Sequence, residues 1–481
     1  MTFVLRNPRT GETEGSFEDP TAAQVAELCG RLRAAQREWE SAGVVARAQG
    51  LQAFADKLTD PMWREKLLEA LTRDTGRRSE SATELSGLSA TLQRWISYAF
   101  ENAGLWQPDS VMPTAMPNFS QQCVRDALPL VGVISPWNFP LLLSFVDTIP
   151  ALLAGSAVLI KPSEVTPRWA FVMSDLLDTV PVLGGVCRLA VGGAPTGEAV
   201  VDLSDAVCFT GSVSVGRKVA ARAAQRLIPA HLELGGKDPA IVFADADVES
   251  AVRAILWGST ANAGQSCLSI ERVYVHADIY PQFIHRMREH IVALTSHSPV
   301  SEWMAPIISP AQVPVIDAHL QDAIALGAKV ETGGKWETSP QRAYFMAPTL
   351  ITGVHHGMKI MQEESFAPFI PVMSFKNERE ALELANDSRY GLSAAVFSAD
   401  NDRLKRVAGL LEASAVSLND CGLTAFLHSC AKTPRKDSGA GLSRMGADGL
   451  MRFMRKKALL KKTAAGVVDP WWYPQVPAGK N

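Results

Sequence analysis

The sequence lacks the cysteine patterns of disulfide-stapled and zinc-bound folds. Its 481 residues include seven cysteines, an odd number, and no two of them form a CxxC pair. This pattern argues against a disulfide framework and is typical of a reducing compartment. We therefore expect a cytoplasmic protein with no bound metal.

An excess of charge of one sign and an uninterrupted hydrophobic run are also lacking. Lys and Arg total 47 against 50 for Asp and Glu, which argues against nucleic acid or a membrane surface as a partner. The N-terminus has no apolar segment of the secretory type. Prolines and Asp147 interrupt the longest apolar tract, residues 128–160, so we interpret it as buried strand, turn and helix.

The chain is long enough for two to four domains and shows no internal repeat. Apolar spacing predicts helices between residues 20 and 105. From about residue 128, short β-rich runs alternate with helical stretches, and a second such series follows Pro239. This alternation predicts an α/β fold with parallel sheets.

Three short motifs contain residue types suited to catalysis. Cys267 of GQSC lies between a predicted helix and a predicted strand, where a thiol can be an exposed nucleophile or an inert buried cysteine. Glu233 of LELGG ends an apolar strand and can be a general base or a structural carboxylate. Asn138 of PWNFP can donate to an oxyanion or form a structural turn.

Two further motifs are suited to binding a nucleotide. LIKPSE ends a strand with Lys161 and Glu164, and FTGSVSVG at 209–216 joins a strand to a helix, where helix-terminal amides can meet a phosphate. The second motif lacks the GxGxxG spacing, so on its own it is a weak dinucleotide signal.

In this order, the strings PWNFP, KPSE, FTGS, LELGGKDP, GQSC and EESFAP resemble the aldehyde dehydrogenase superfamily from about residue 5 to 460. The resemblance implies a Rossmann-like cofactor domain formed by residues 1–105 and 127–235 and an α/β catalytic domain formed by 236–451. It also implies a small β oligomerisation element formed by 106–126 and 452–481. We expect a homodimer or homotetramer.

The same resemblance implies roles for the catalytic candidates. Cys267 would attack a small-molecule aldehyde to give a thiohemiacetal and then a thioester, with Asn138 and the Cys267 amide holding the oxyanion. Glu233 would activate the water that hydrolyses the thioester.

It also implies that NAD is the cofactor. The residues expected to bind it are Lys161, Ser163, Glu164, Gly211, Ser212, Trp137, Glu364 and Phe366. The carboxylate of Glu164 would accept a hydrogen bond from a 2′-hydroxyl and repel a 2′-phosphate, so NAD is favoured over NADP.

One segment departs from the family pattern. Residues 424–446, TAFLHSCAKTPRKDSGAGLSRMG, retain only SGAG of the usual glycine-rich sequence that lines the substrate funnel. Apolar side chains suggest a hydrophobic aldehyde, aromatic or of medium chain length. The tentative pocket residues are Phe139, Leu142, Phe145, Leu268 and Phe426.

Three alternatives remain at this point. A CoA-acylating relative need not keep the base, and a semialdehyde-forming relative would be expected to lack it, so Glu233 argues against both. A catalytically silent binding protein on this fold would be expected to lose Cys267, Glu233 or Asn138, and all three are present.

The end of the chain carries two structural expectations. We interpret KALLKKT, residues 457–463, as a lone strand that needs a partner ladder from a second subunit. The aromatic tail that follows, Trp471 to Tyr473, should be buried across that dimer near the substrate entrance.

Overall fold

The computed structural model describes residues 1–296, 298–340, 343–465 and Trp471. The chain begins with an antiparallel hairpin of two strands, β1 (Thr2–Arg6) and β2 (Thr13–Glu18). Helices then follow directly on one another: α1 (Ala22–Ser41), α2 (Gly43–Thr59), α3 (Pro61–Thr75) and α4 (Arg78–Glu101). They match the predicted helical region between residues 20 and 105.

The next part of the chain alternates strands with helices as predicted. Its strands are β3 (Met112–Pro113), β4 (Phe119–Ala127), β5 (Leu130–Ile134), β6 (Ala157–Lys161), β7 (Cys187–Leu189), β8 (Ala206–Thr210) and β9 (Ala230–Glu233). Its helices are α5 (Pro140–Ala154), α6 (Arg168–Asp178), α7 (Pro181–Gly184), α8 (Ala194–Leu203) and α9 (Val213–Gln225). Strands β5 to β9 form a parallel sheet in the spatial order β9-β8-β5-β6-β7.

A second alternating series follows. Its strands are β10 (Asp238–Val242), β11 (Ile270–His276), β12 (Lys329–Thr332), β13 (Trp336–Thr338), β14 (Tyr344–Met346), β15 (Thr349–Thr352), β16 (Phe369–Phe375), β17 (Tyr390–Gly391), β18 (Ser393–Phe397) and β19 (Ala415–Leu418). Its helices are α10 (Val248–Thr260), α11 (Tyr280–Thr295), α12 (Val300–Trp303), α13 (Val313–Ala325), α14 (Lys359–Gln362), α15 (Glu378–Asn386) and α16 (Asn401–Leu410). The second large sheet has the order β12-β15-β16-β11-β10-β18-β19, with only β12 antiparallel.

The C-terminal part returns to sheets formed earlier in the chain. It contains β20 (Arg435–Lys436), β21 (Gly439–Ala440), α17 (Asp448–Met451) and β22 (Met454–Lys462). Strand β21 lies antiparallel to β9, and β22 pairs antiparallel with β4 over nine residues. The expectation of a lone strand is therefore wrong, because β4 of the same chain already provides one partner ladder.

Little of the aromatic tail belongs to the described residues. Trp471 is 55% exposed, and its ring centroid lies 5.7 Å from that of Phe119 on β4. Trp472 and Tyr473 lie outside the described residues. The proposed docking of the tail across a dimer stays a prediction.

The long apolar tract is part of the core. It forms β5, α5 and β6, and most of its side chains are buried between the first sheet and the N-terminal helices. Among the residues that the structure describes, no helix is long and apolar enough to cross a membrane.

The order of strands in the first sheet determines where a ligand can bind. Strands β5, β6 and β7 follow one another towards one side of the sheet, whereas β8 and β9 lie on the other side of β5. The loops after β5 and β8 therefore separate at the carboxyl edge of the sheet. Open α/β sheets bind ligands in the crevice at this kind of switch point.

Candidate active site

A cleft of about 250 Å³ lies at this switch point. It is lined by Pro136, Trp137, Asn138, Leu143, Thr210, Gly211, Ser212, Leu234, Gly235, Cys267, Gln312, Val315, Glu364 and Phe366. The fold thus brings together residues from PWNFP, FTGS, GQSC and EESFAP, which are far apart in the sequence.

The loop that carries Cys267 has an unusual backbone. After α10, Asn262 and Ala263 adopt φ values of 53° and 56°, and Gly264 follows at 72°. A Cβ on Gly264 would lie 2.2 Å from the carbonyl oxygen of Ala367, so only glycine fits there. Left-handed backbone at non-glycine residues is typical of functional sites, where the surrounding structure compensates its cost.

Gln265 fixes this loop. Its buried side chain donates to the carbonyls of Asn262 (2.8 Å) and Pro306 (2.9 Å), and its Oε1 accepts from the Ile308 amide (2.8 Å). With both ends of the amide used, the backbone two residues before Cys267 cannot shift without breaking buried hydrogen bonds. The GQSC motif by itself did not indicate this role of Gln265.

Asn138 is joined to the same loop. Its side-chain Nδ2 donates to the backbone carbonyl of Gln265 at 3.1 Å. The backbone carbonyl of Asn138 accepts from Arg77 at 2.5 Å and from Asn262 at 3.2 Å. The amide is buried, yet it borders the cleft. Its second N–H is not used by these bonds and is available to a group in the cleft.

Two buried charges on the N-terminal helices support the PWNFP segment. Glu84 Oε1 accepts hydrogen bonds from the amides of Leu141 (2.8 Å) and Leu142 (2.9 Å), which are orphan donors at the start of α5. Arg77 lies 3.6 Å from Glu84 and binds the Asn138 carbonyl. No sequence pattern near residues 77–84 indicated this role.

Glu233 ends β9 directly behind the cleft. Glu233 is only 7% exposed, and it is not among the described residues that line the cleft. The two glycines that follow let the chain pass close to the nucleophile loop, since a Cβ on Gly236 would lie 2.3 Å from the Cys267 carbonyl oxygen. The strand end and the Cys267 loop are therefore in direct backbone contact.

The cleft disfavours charge on its acidic groups. Burial, and secondly the Glu364 carboxylate, raise the pKa of the Cys267 thiol to about 12. Burial and the nearby Glu271 carboxylate raise the pKa of Glu364 to about 8, although Glu364 Oε1 accepts from the Gly236 amide at 3.1 Å. At neutral pH the thiol therefore carries its proton, and a nucleophilic attack requires an acceptor for it.

The residues predicted to bind a dinucleotide lie along the carboxyl edge of the first sheet. Gly211 and Ser212 line the cleft, and Ser212 caps α9 by accepting from the Val215 amide at 3.4 Å. The Trp137 and Phe366 rings meet edge to face with centroids 5.5 Å apart.

The remaining predicted cofactor residues follow β6, beside β5. Lys161 Nζ donates to Glu164 Oε2 at 2.7 Å, and Ser163 Oγ accepts from the Val165 amide at 3.3 Å. They do not line the described cleft itself. The N-terminus of α9 is suited to a phosphate, and the partly exposed Glu164 carboxylate is suited to a ribose hydroxyl. Both lie at the switch point, so the arrangement fits a dinucleotide.

The tentative substrate-pocket residues lie elsewhere. Phe139 lies under the Arg77 guanidinium, Leu142 lies against Gly87, and Phe426 is 58% exposed against Trp257. Leu268 is half-buried beside the nucleophile. The described residues that line the cleft include none of these five.

The prediction that Phe145 lines the substrate pocket is wrong. This residue is buried in the core between Phe54 and Trp169, so it is not available to a substrate in this cleft. Because an α-helix has 3.6 residues per turn, Leu143 and Phe145 lie on different faces of α5, and it is Leu143 that borders the cleft. An apolar sequence around the helix did not reveal which face borders the cleft.

The fold and the site define an α/β enzyme with a cysteine-centred cleft beside a dinucleotide crevice. Comparison with known proteins gives the family. Residues 1–459 match the model of the aldehyde dehydrogenase family, and the chain belongs to this family. It is an oxidoreductase that acts on aldehydes, and the family uses NAD or NADP.

Three similar proteins cover nearly the whole chain. The putative aldehyde dehydrogenase PutA from Anabaena variabilis is 45% identical, with a TM-score of 0.93, covering 98% of this chain and all of that one. Betaine aldehyde dehydrogenase from Staphylococcus aureus, solved with NAD+, is 30% identical, with a TM-score of 0.89 and coverage of 98% and 94%. The 4,4′-diapolycopene aldehyde oxidase from Methylomonas sp is 33% identical over 99% of this chain and 89% of its own.

Proposed function

We propose that the protein oxidises an aldehyde to the carboxylic acid with NAD, through a thioester on Cys267. The observation that carries the proposal is the assembly of one cleft. Cys267 and Asn138 border the cleft, and the strand end that carries Glu233 is in contact with the Cys267 backbone.

The first step is the attack of Cys267 on the aldehyde carbonyl. The sulfur bonds to the carbonyl carbon, the thiol proton passes to water in the cleft, and negative charge develops on the carbonyl oxygen. Asn138 and the Cys267 amide donate to that oxygen, and fixed donors of this kind stabilise developing charge at no reorganisation cost. The Gln265 anchor keeps both donors in place.

Lys161, Glu164 and Ser212 would hold NAD, which would supply an acceptor for the hydride that the aldehyde carbon loses. The acyl group would remain on Cys267 as a thioester. Glu233 next removes a proton from a water molecule, whose oxygen bonds to the acyl carbon. The carbon–sulfur bond breaks, its electron pair returns to the sulfur, and the carboxylic acid leaves.

The preference for NAD is assigned to Glu164. Its carboxylate lies at the end of β6 in a pair with Lys161, and it would repel the 2′-phosphate of NADP. The NAD+ complex of the Staphylococcus aureus relative supports this choice. We place the enzyme in the cytoplasm, in keeping with its seven free cysteines.

The proposed substrate is a hydrophobic aldehyde. Leu143, Leu234 and Val315 border the cleft together with Trp137 and Phe366, so its wall is largely apolar. The relative named for 4,4′-diapolycopene aldehyde points the same way. A CoA-acylating reaction is disfavoured, because an enzyme that transfers the acyl group to CoA does not need a base for hydrolysis, whereas this chain has Glu233.

A semialdehyde is the second candidate, and Lys432 favours it. This lysine lies near enough to favour the ionised form of Cys267, and it forms no salt bridge among the residues that the structure describes. A carboxylate on the substrate would provide that missing partner.

Kinetics of two variants test the reaction. Cys267→Ala should form no NADH, whereas Glu233→Gln should give a burst of NADH close to one per site and then a slow steady state, because only deacylation is impaired. A panel of apolar and carboxylate-bearing aldehydes, scored by kcat/KM, separates the two substrate classes. An unaltered steady state in Glu233→Gln, where hydrolysis limits the wild-type rate, would contradict the role of Glu233.

A further inference from the structure

A cluster of buried charges lies behind Glu233. Arg444 Nη2 donates to Asp147 Oδ2 at 2.9 Å, and Arg452 Nη2 donates to Asp147 Oδ1. All three side chains are buried. One carboxylate thus faces two guanidinium groups, which leaves a positive charge in the core that needs a second anion.

Glu233 is that second anion. Its Oε1 lies 3.7 Å from Arg444 Nε, which is buried and has no hydrogen-bond partner among the described residues. This separation is longer than a hydrogen bond, so the contact is electrostatic. The carboxylate is attracted by Arg444 but is not locked to it, and it remains free to rotate towards a water molecule at the thioester.

Arg444 belongs to residues 424–446, the segment that departs from the family pattern. Strand β21 pairs with the Leu232 and Glu233 end of β9, and the Leu442 amide donates to His231 Nδ1 at 3.3 Å. Two residues further on, Arg444 Nη2 also donates to Thr210 Oγ1 at 2.6 Å, at the wall of the cleft. Arg444 therefore joins Glu233 to the cleft.

We propose that Arg444 is a positioning residue that orients the Glu233 carboxylate for the activation of water. The inference rests on the proposed hydrolytic function. Arginine does not lose its proton in proteins, so Arg444 cannot relay a proton. Its constant positive charge instead attracts the Glu233 carboxylate and biases its orientation without a hydrogen bond that would lock it.

The other charged or titratable groups around Glu233 do not provide this effect. Cys208 on β8 and Cys267 across the backbone contact become negative when they ionise. Asp147 on α5 and Arg452 lie beyond Arg444. His231, on the same strand, is kept neutral because burial lowers its pKa to about 3. Arg444 is thus the adjacent cation.

The test compares Arg444→Gln with the matched control Arg452→Gln. Both variants remove a buried arginine from Asp147, but only Arg444 faces Glu233. In Arg444→Gln the NADH burst should remain and the steady-state rate at pH 7 should fall about tenfold, because only deacylation depends on the orientation of Glu233. Arg444→Lys, which keeps the positive charge, should restore most of the wild-type steady-state rate.

Arg452→Gln should lose stability to a similar extent and keep the wild-type steady-state rate. The proposal is overturned if Arg444→Gln has the wild-type steady-state rate or if Arg452→Gln shows the same fall. If Arg444→Gln does not fold, the double variant Arg444→Met/Asp147→Asn removes the buried pair together, a replacement that is often tolerated, and it should show the same fall in steady-state rate with the burst retained. Failure of the hydrolytic function itself would appear separately, as a missing burst in Glu233→Gln.

Discussion

The thiol of Cys267 and the carboxyl of Glu364 lie in one cleft, and burial keeps both predominantly protonated at pH 7. At the scale of single residues, the chemistry is therefore determined by the surroundings more than by the residue type. A resting thiol of this kind is protected from non-specific reaction and becomes a nucleophile only when its proton can leave. The same surroundings make stability depend on pH.

Replacing Glu364 by Gln should reveal that dependence. The pKa of Glu364 is about 8 in the folded protein and near 4.5 when it is exposed on unfolding. Between these values the folded state binds more protons, so this carboxyl costs the wild type stability as pH rises. Relative to wild type, Glu364→Gln should therefore gain up to about 1.4 kcal/mol per pH unit from pH 5 to 8 and nothing further above pH 8.

Urea unfolding at several pH values measures this difference. Glu27→Gln is the control, because Glu27 lies on an exposed face of α1 and its carboxyl is largely in water in both states. A constant difference between Glu364→Gln and wild type from pH 5 to 8 would contradict the assignment.

Cofactor choice is the second prediction at this scale. Glu164→Gln removes a carboxylate that is about one-third exposed, so the expected change is modest, roughly 1 kcal/mol or about fivefold in the ratio of kcat/KM for NAD to that for NADP. The ratio should move towards NADP because the repulsion of the 2′-phosphate is relieved. A wild-type enzyme that already prefers NADP would refute the role of Glu164.

At the scale of elements, the site depends on three chain segments that approach one another without side chains between them. The glycines after β9 lie against the Cys267 loop and Glu364, and Gly264 lies against the Ala367 carbonyl. The segment after β9 and the Cys267 loop therefore share one backbone contact. Small displacements there would misalign Glu233, Cys267 and Asn138 together.

Gly236→Ala should show this coupling. The added methyl would lie 2.3 Å from the Cys267 carbonyl oxygen, so the loop must shift, and kcat/KM should fall on the order of 100-fold. Gly30→Ala in α1 is the matched control, since no atom lies within 4 Å of its added methyl.

Gly30→Ala should keep full activity and gain about 0.5 to 1 kcal/mol in the free energy of unfolding, because glycine is costly inside a helix. Steady-state kinetics and urea unfolding of the two variants provide the comparison. Normal activity in Gly236→Ala would show that the contact does not control the geometry of the site.

At the scale of the whole molecule, we propose that the two large sheets belong to a cofactor domain (residues 1–105 and 127–235) and a catalytic domain (236–451). The small sheet of β3, β4 and β22 would be the oligomerisation element. Strand β22 is an edge of that sheet, and within the described chain its second ladder has no partner. An open edge of nine residues is a suitable place for another subunit.

Sedimentation should therefore show a dimer or tetramer. Leu460 on β22 is 76% exposed in the single chain, and Leu460→Glu should increase the dissociation constant of the assembly about tenfold or more by placing charge in an apolar contact. Leu227→Glu, at a leucine that is even more exposed but outside this sheet, should have no effect. A monodisperse monomer of the unmodified protein at micromolar concentration would contradict the proposed element.

Local sequence was sufficient for much of the architecture. The spacing of apolar residues predicted the helices of residues 20–105, and the alternation of strands with helices predicted the parallel sheets. Asp247 is of a residue type that caps helices, and its carboxylate accepts from the amides of Glu249 and Ser250 at the start of α10. These features depend on contacts between residues near one another in the chain, which a sequence displays directly.

Other features required the tertiary structure. Strand β22 pairs with β4 more than 300 residues away, Phe145 faces the core while Leu143 faces the cleft, and Arg444 reaches Glu233 from a segment without a recognisable motif. The sequence alone determined which residues have suitable chemistry and which elements carry them. Only the folded chain decided which side chains meet, because pairing between distant segments and the burial of charge depend on how the whole core packs.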